Sequence, residues 1–233
     1  MHEAGHHAAR YNEPKIPGRA ISVSMPFYVL KMGGSLMASA RPLIRALLAL
    51  AKEGYSFLVV PGGGPMADLV REIYARGDLS QEAAHWMAIL AMEQYAYFLA
   101  DGSGAALTRE IRRSKSDCSV QVLLPYQALI EEDFGLEHNW NFTSDAVAAL
   151  VAAQLSAPLI KATDVDGVML DGKVVLEVPA SRMLGRKSCI DQGTIKLLCG
   201  PLKGSSIRVL NGTDAQQFTN ALKNGEGGTI IKG

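Results

Sequence analysis

Net charge of either sign is missing from this sequence: Lys and Arg number 23, and so do Asp and Glu. A neutral chain draws neither nucleic acid nor an anionic membrane to its whole surface, so neither is expected as the main partner and any anion site must be local. Cysteine is scarce. Cys118, Cys189 and Cys199 form no Cys-x-x-Cys pair, which argues against a zinc site and for reduced thiols that serve packing in a cytoplasmic protein. Long hydrophobic runs are lacking too: the longest, Ala146 to Ile160, is broken by Gln154 and Ser156 and falls short of the ~20 residues of a membrane span. It reads as a buried helix running into a strand. Residues 1–24 hold His2, His6, His7, Arg10, Lys15 and Arg19 but no apolar core, so they are no secretion signal. They are expected to form a solvated tail, with His6-His7 as a metal pair the alternative, and Met25-Pro26 as the native start. Neither a Gly-x-x-x-x-Gly-Lys-Ser/Thr phosphate loop nor a Gly-x-Gly-x-x-Gly dinucleotide fingerprint occurs, which removes ordinary nucleoside triphosphatases and dehydrogenases.

What is present is a repeated grammar of strand, glycines and helix. In Phe27-Tyr-Val-Leu-Lys-Met-Gly-Gly-Ser35 an apolar run opens onto Lys31, two glycines and a serine. Glycines let main-chain N–H groups approach an anion, and a helix from Ala38 to Lys52 would aim its positive end at the same spot. A tight turn that leaves Lys31 solvated is the alternative. Ser56-Phe-Leu-Val-Val-Pro-Gly-Gly-Gly-Pro65 repeats the pattern, with a helix expected from Met66 to Ala75. Two such exits side by side at the carboxyl edge of a parallel sheet make an anion-lined crevice, where open α/β sheets bind ligands.

Further along, Gln81 to Asp101 reads as a long helix, apolar on more than one face, that must be covered on both sides. A homodimer would cover the second side. His85 near its start is read first as a structural histidine, with a substrate role as the alternative. Val120 to Pro125 is an expected strand, and Glu131 to Asp133 a solvated acidic loop, with contact to an amine as the alternative. Asn141-Phe-Thr-Ser-Asp145 leads into a helix from Ala146 to Leu155, with Asp145 placed to favour a first helical turn. A strand over Leu159 to Ala162 precedes Thr163-Asp-Val-Asp-Gly-Val-Met169 and a hairpin whose Asp171-Gly172 suits a two-residue turn. Ser188 to Lys196 opens another helix, Ile207 to Leu210 is a strand, and Thr213 with Gln216 forms a capping-box pattern. Gly228 to Ile231 closes the chain as a strand. At 233 residues this alternation suits one α/β domain over 25–233 with a mainly parallel sheet.

Taken in order, Lys31-Met-Gly-Gly-Ser, Gly62-Gly-Gly-Pro65, Asn141-x-x-x-Asp145, Thr163-Asp-Val-Asp-Gly167 and Lys196 resemble the amino acid kinase superfamily. The resemblance runs from about Phe27 to the end. It implies an αβα sandwich with a small anionic acceptor bound in about 25–140, ATP in about 141–233, and Mg2+ carried by the nucleotide phosphates rather than by protein. It also implies roles. Lys31 and Lys196 would flank the phosphoryl group with Asp145 between them, and Lys203 is a nucleotide contact or the alternative second cation. Gly33, Gly34, Ser35, Gly63 and Gly64 would hold phosphate, and Gly62, His85 and Asn141 the acceptor. Thr163, Asp164, Gly167, Met169 and Asp171 would meet the nucleotide. Within the superfamily, Pro65-Met-Ala-Asp-Leu lacks the histidine expected of an isopentenyl phosphate kinase, and Ala84 stands where uridylate kinases have an aspartate. His85-Trp-Met-Ala-Ile-Leu-Ala-Met looks most like the archaeal and methylotroph kinases of methanofuran biosynthesis, which convert an aminomethylfuran-methyl phosphate to its diphosphate. Storage proteins for molybdate or tungstate share the superfamily's fold and form the non-enzymatic alternative, against which Lys31 and Asp145 stand.

Overall fold

Alternating strands and helices fill the chain of this computed structural model, which describes residues 25–114 and 118–233. The 1–24 tail, with its His6-His7 pair, lies outside the described residues. The order is β1 (Phe27–Met32), a 3-10 turn at Gly34–Leu36, α1 (Ala40–Lys52), β2 (Ser56–Pro61), α2 (Gly64–Ala75), α3 (Gln81–Ala100), β3 (Ala106–Thr108) and β4 (Val120–Leu123). Then follow α4 (Pro125–Leu129), α5 (Ser144–Gln154), β5 (Leu159–Thr163), β6 (Met169–Leu170), β7 (Lys173–Val174) and β8 (Glu177–Pro179). A second 3-10 turn at Ala180–Met183, α6 (Gln192–Cys199), β9 (Ser206–Asn211), α7 (Ala215–Asn224) and β10 (Thr229–Lys232) complete it.

Eight strands make one sheet in the order β3-β4-β2-β1-β5-β9-β10-β8, in which β9–β10 is the one antiparallel pair among the described residues; β6 and β7 form a separate antiparallel hairpin. Because β-strand side chains alternate between faces, β1 sends Leu30 and Met32 into one core and Val29 into the other. The first core holds the α1 stripe Leu43, Ile44, Leu47 and Leu50, all 2 % exposed or less. Its spacing of one, three and three residues keeps them on one helical face. The second core is built from α5 and α6, with Ala146, Val147, Val151, Ile195 and Leu198. Helix α3 serves both: Ile89 and Met92 join the second core, Tyr95 and Leu99 the first. That is the cause of its lack of a single apolar face.

Helices thus cover both faces of a mainly parallel sheet, an αβα sandwich. Local boundaries move for identifiable reasons. α2 starts at Gly64 rather than Met66, because Pro65 sits in the first turn where a missing N–H costs nothing. α5 starts at Ser144 and so takes Asp145 into the helix. The capping box of α7 is not formed by Thr213 and Gln216: Asp214 is the cap and accepts from the Gln217 N–H, while the Thr213 hydroxyl donates to Asn211 Oδ1 at 2.7 Å. The hairpin turn keeps its expected residues, with Asp171 at φ 50° and Gly172 at φ 77°.

Candidate active site

The register of β1 against β5 is the origin of the site. Lys31 pairs with Lys161, so two neighbouring parallel strands present lysines side by side on the face covered by α5. Asp145 in the first turn of α5 meets both. Its Oδ1 lies 2.9 Å from Lys31 Nζ and its Oδ2 2.5 Å from Lys161 Nζ. All three residues are buried, at 7 % exposure for Lys31 and 5 % each for Asp145 and Lys161. Burial alone would raise the Asp145 carboxyl, but the charges of Lys161 and Lys31 outweigh it and hold the group well below the usual carboxylate range. Burial pulls the Lys31 ammonium down, and Asp145 opposes that shift. One carboxylate thus faces two ammonium groups, with Asp191 as a more distant second carboxylate acting on Lys31.

Above this floor the two glycine turns pack backbone against backbone. A Cβ on Gly34 would stand 2.4 Å from both Cα and N of Gly64, and Gly64 itself has φ +56°. Only glycine permits that approach. Gly33 donates its N–H to the Ala162 carbonyl at 2.9 Å and Gly62 to Met32 at 2.8 Å, so these two amides extend the sheet. Gly33 therefore departs from the expectation of an anion-facing N–H. The N–H groups of Gly34, Gly63 and Gly64 donate to no acceptor among the described residues. Ser35 Oγ donates to Asp164 Oδ1 at 2.9 Å and Thr163 Oγ1 to the same oxygen at 3.1 Å, tying the first turn to the exit of β5. The Ser35 bond, chiefly, holds the Asp164 carboxyl below its ordinary value.

A second carboxylate fixes the frame. Asp191 caps α6 through the Thr194 N–H at 2.6 Å and accepts from both the N–H and the hydroxyl of Thr143, just before α5. Its own N–H donates to Asp145 Oδ2 at 3.3 Å, and the neighbouring Cys189 carbonyl accepts from Lys161 Nζ. Burial and the nearby Asp145 charge raise the Asp191 carboxyl.

Beside the glycines opens a cleft between α2, α3 and the segment before α5. Gly63, Met92 and Ser144 mark one end of its lining; Arg71, Gln81, His85 and Trp140 mark the other. Helices α2 and α3 run as a hairpin, which puts the α2 start beside the middle of α3 and its last turns beside Gln81. Arg71 is held by Asp68 at 2.5 Å and lies over the Trp140 ring.

Several expected site residues stand elsewhere. Lys196 is exposed on α6, and no ion pair joins it to Asp145; Lys161 takes that place. Lys203 follows α6 and precedes β9, at the opposite edge of the sheet from the glycines. Asn141 is exposed and outside the cleft lining. Its carbonyl accepts from the Gly193 N–H at 2.7 Å, and Gly193 has no room for a Cβ against Asn141 and Phe142. His85 does line the cleft. Gly167, at φ +153°, packs against Thr229, while Met169 (63 % exposed) and Asp171 belong to the surface hairpin β6–β7. Sequence reading passed over Lys161, Asp191, Ser144, Arg71 and Gln81. Of these only Lys161 carries a local signal: a charge inside the apolar strand Leu-Ile-Lys-Ala-Thr, echoing Lys31 in β1.

Residues 26–186 match the model of the amino acid kinase family. A [5-(aminomethyl)furan-3-yl]methyl phosphate kinase of Methanocaldococcus jannaschii is 33% identical over 208 residues, 84% of this chain and 93% of that protein. Among solved structures, a uridylate kinase from Archaeoglobus fulgidus superposes with TM-score 0.63 at 22% identity, over 88% of this chain and 99% of that one. A UMP kinase from Ureaplasma parvum reaches TM-score 0.66 at 15% identity over 89% and 99%. An isopentenyl phosphate kinase from T. acidophilum reaches 0.54 at 15% over 88% and 100%. With the fold, the paired glycine turns and the family match agreeing, the chain belongs to the amino acid kinase family and is a kinase of a small molecule.

Proposed function

We propose that this protein transfers the γ-phosphoryl group of ATP to the phosphate of [5-(aminomethyl)furan-3-yl]methyl phosphate, forming the diphosphate, as a cytoplasmic enzyme of methanofuran biosynthesis. The observation that carries the reading is the buried Lys31–Asp145–Lys161 bridge beneath two glycine turns. The acceptor itself is suggested by the name of the M. jannaschii relative. Ile89, Met92, Phe142 and Trp140 line the cleft and offer apolar walls to a ring.

In this reading the acceptor phosphate enters at the Gly63 and Ser144 end, where Gly34, Gly63 and Gly64 present N–H groups and α5 its positive end. An acceptor oxygen attacks the γ-phosphorus, the bond to the bridging oxygen of ADP breaks, and ADP leaves. The nucleophile is already an anion, so no general base is required. That agrees with Asp145, whose two oxygens each face an ammonium group. Lys31 and Lys161 hold the transferring phosphoryl oxygens, the charge-stabilising work that dominates phosphoryl transfer. Thr163, Asp164, Gly167, Met169 and Asp171 are read as the nucleotide side, and 25–140 and 141–233 as acceptor and nucleotide halves. Mg2+ bound to the nucleotide phosphates supplies neutralisation of their charge. The donor set fits that arrangement: Asp145 is engaged by lysines, and Asp164 accepts from Ser35 and Thr163. A homodimer is read from the second face of α3, where Leu90 is 40 % and Tyr97 53 % exposed.

The test is ADP release with ATP and Mg2+ in the presence of the furan phosphate, UMP, isopentenyl phosphate, an acylated glutamate, molybdate or tungstate. ADP that depends on the furan phosphate is expected. Dependence on another organic acceptor would move the substrate, and ADP with the oxoanions alone would favour storage.

A further inference from the structure

Beside the end of the cleft lined by Gln81 and His85, four titratable side chains form a chain that phosphoryl transfer does not use. His138 is bound at Nε2 by Asp133 (2.6 Å) and at Nδ1 by Glu82, and its ring stacks on His85 with centroids 3.9 Å apart and planes within 7°. Trp86 fixes Glu82 from behind, donating Nε1–H to Oε1 at 2.7 Å, and the Gly135 N–H donates to the other Asp133 oxygen at 3.0 Å. Gln81 donates its amide N–H to the His138 carbonyl at 2.6 Å, which leaves the Gln81 amide oxygen without a donor among the described residues. His85 is 8 % exposed, lines the cleft, and makes no hydrogen bond among the described residues. Its unpartnered ring nitrogens keep some solvent access, so a donor on a ligand in the cleft could reach them.

Two ligands suit histidines and carboxylates so arranged: a metal ion and an organic cation. His85, Asp133 and His138 bring ligand atoms within 4.8 Å of one another. However, a ring with a carboxylate on each nitrogen is an imidazolium. It has no lone pair left for a metal. Burial lowers the His138 pKa, but Asp133 and Glu82 overcome this and raise it, which favours the charged ring. Burial, and then the His138 charge, lower His85 to about 4, so its ring is neutral and keeps one lone pair. The cluster therefore sums to one negative charge: two carboxylates, one imidazolium and one neutral imidazole. Arg71 at the same end is neutralised by Asp68.

We propose that His85 and the Gln81 amide oxygen, backed by the Glu82–His138–Asp133 chain, receive a protonated primary amine, and that this pair selects organic phosphates carrying an ammonium group at the end remote from the phosphate. The proposal deepens the acceptor reading above and rests on it for the placement of the phosphate at the Gly63 end. Lone pairs on His85 and Gln81 accept from the ammonium N–H groups, while the net negative charge behind them favours a cation over a neutral group of equal size. A nucleobase or an isoprenoid brings no such cation to this end.

The experiment compares two ligands by calorimetry: the aminomethyl-furan phosphate, and an analogue with methyl in place of aminomethyl. Wild-type protein should bind the amine about 10–100-fold more tightly, the range of one or two charge-assisted hydrogen bonds. In the double variant Glu82→Gln/Asp133→Asn, with folding checked by circular dichroism, the ratio of the two dissociation constants should fall below about threefold. Equal affinities in the wild type would overturn the proposal without any variant. So would a ratio that survives in the double variant, or stoichiometric binding of Zn2+ alone that the double variant loses. Acceptor-dependent ADP release is read on the same samples. Absence of turnover with the affinity gap intact removes the kinase-acceptor assignment and upholds this one; turnover of both ligands with equal affinities does the reverse.

Discussion

The glycine turns beside one end of the cleft and the histidine cluster beside the other are built by different means. At the phosphoryl end the framework is main chain and sheet register: Gly34 against Gly64, and Lys31 beside Lys161. At the other end it is chiefly side chains, with Gln81, Glu82 and His85 from α3 meeting His138 and Asp133 from an irregular segment. A backbone cradle tolerates almost no substitution, because its geometry is set by hydrogen bonds of the sheet. A side-chain cluster on a loop can change one residue at a time. The contrast separates the part of the molecule that would perform a chemistry common to a family from the part that would choose a substrate.

Asp145→Asn should break the first end most severely. It leaves two buried ammonium groups with a neutral partner, so acceptor-dependent turnover should fall by about 10³ or more and stability by roughly 3–5 kcal/mol. Steady-state kinetics and urea titration measure the two losses. Near-normal turnover in a folded variant would remove the bridge from the mechanism. Next in size, Lys161→Met should lower kcat by about 10²–10³ with little change in KM, while Lys196→Ala stays within about twofold of wild type. The reverse result would restore Lys196 as the second cation.

That second pair also marks where sequence legibility ends. The succession of strands and helices was readable because apolar period and glycine punctuation are local properties, and boundaries moved by one or two residues at Pro65, Ser144 and Asp214. Lys31, the glycine turns and Asp145 were readable for the same reason: each lies in a contiguous motif. Lys161 was not. Its importance comes from a register, Lys31 opposite Lys161, between strands 130 residues apart, and no spacing along the chain announces it. Lys196 carried a conspicuous position in an opening helix turn, yet helical periodicity turns it outward, away from Asp145. Gln81, Glu82, Asp133 and His138 likewise meet only once α3 and the 130–143 segment are folded together.

A smaller perturbation probes the cradle without touching charge. Gly34→Ala would drive a methyl group to 2.4 Å from the Gly64 backbone, so one glycine turn must shift. The expected cost is about 1–3 kcal/mol, with turnover reduced because the N–H groups of Gly34 and Gly64 lose their common aim. Gly77→Ala makes the control: a surface glycine with φ +84° and no atom within 4 Å of the added Cβ, it should lose stability alone. Equal turnover in the two variants would show that the cradle does not need its close packing.

The smallest expected effect belongs to the histidine cluster and depends on pH. His85 is pushed down to about 4 by burial and by the His138 charge, against ~6.5 for a histidine in the unfolded chain. Below pH ~6.5 the unfolded state takes up a proton that the folded state refuses, so stability from a neutral His85 is complete above that pH and is lost as the pH falls to about 4. His138 acts in the opposite sense, because Asp133 and Glu82 raise it against burial: its contribution is complete below ~6.5 and fades as the pH climbs through its folded value. The carboxylates Glu82 and Asp133 are held below their ordinary values, so their share is complete above those values and is lost as the pH falls from there through the folded ones. His85→Gln removes the first of these slopes and leaves the others. Between pH 6.5 and 4.5 its melting temperature should therefore decline less than that of wild type, by roughly 2–4 °C, in differential scanning calorimetry. An identical acid limb in both proteins would mean that His85 is already charged against His138, and the neutral lone pair on which amine recognition depends would be gone.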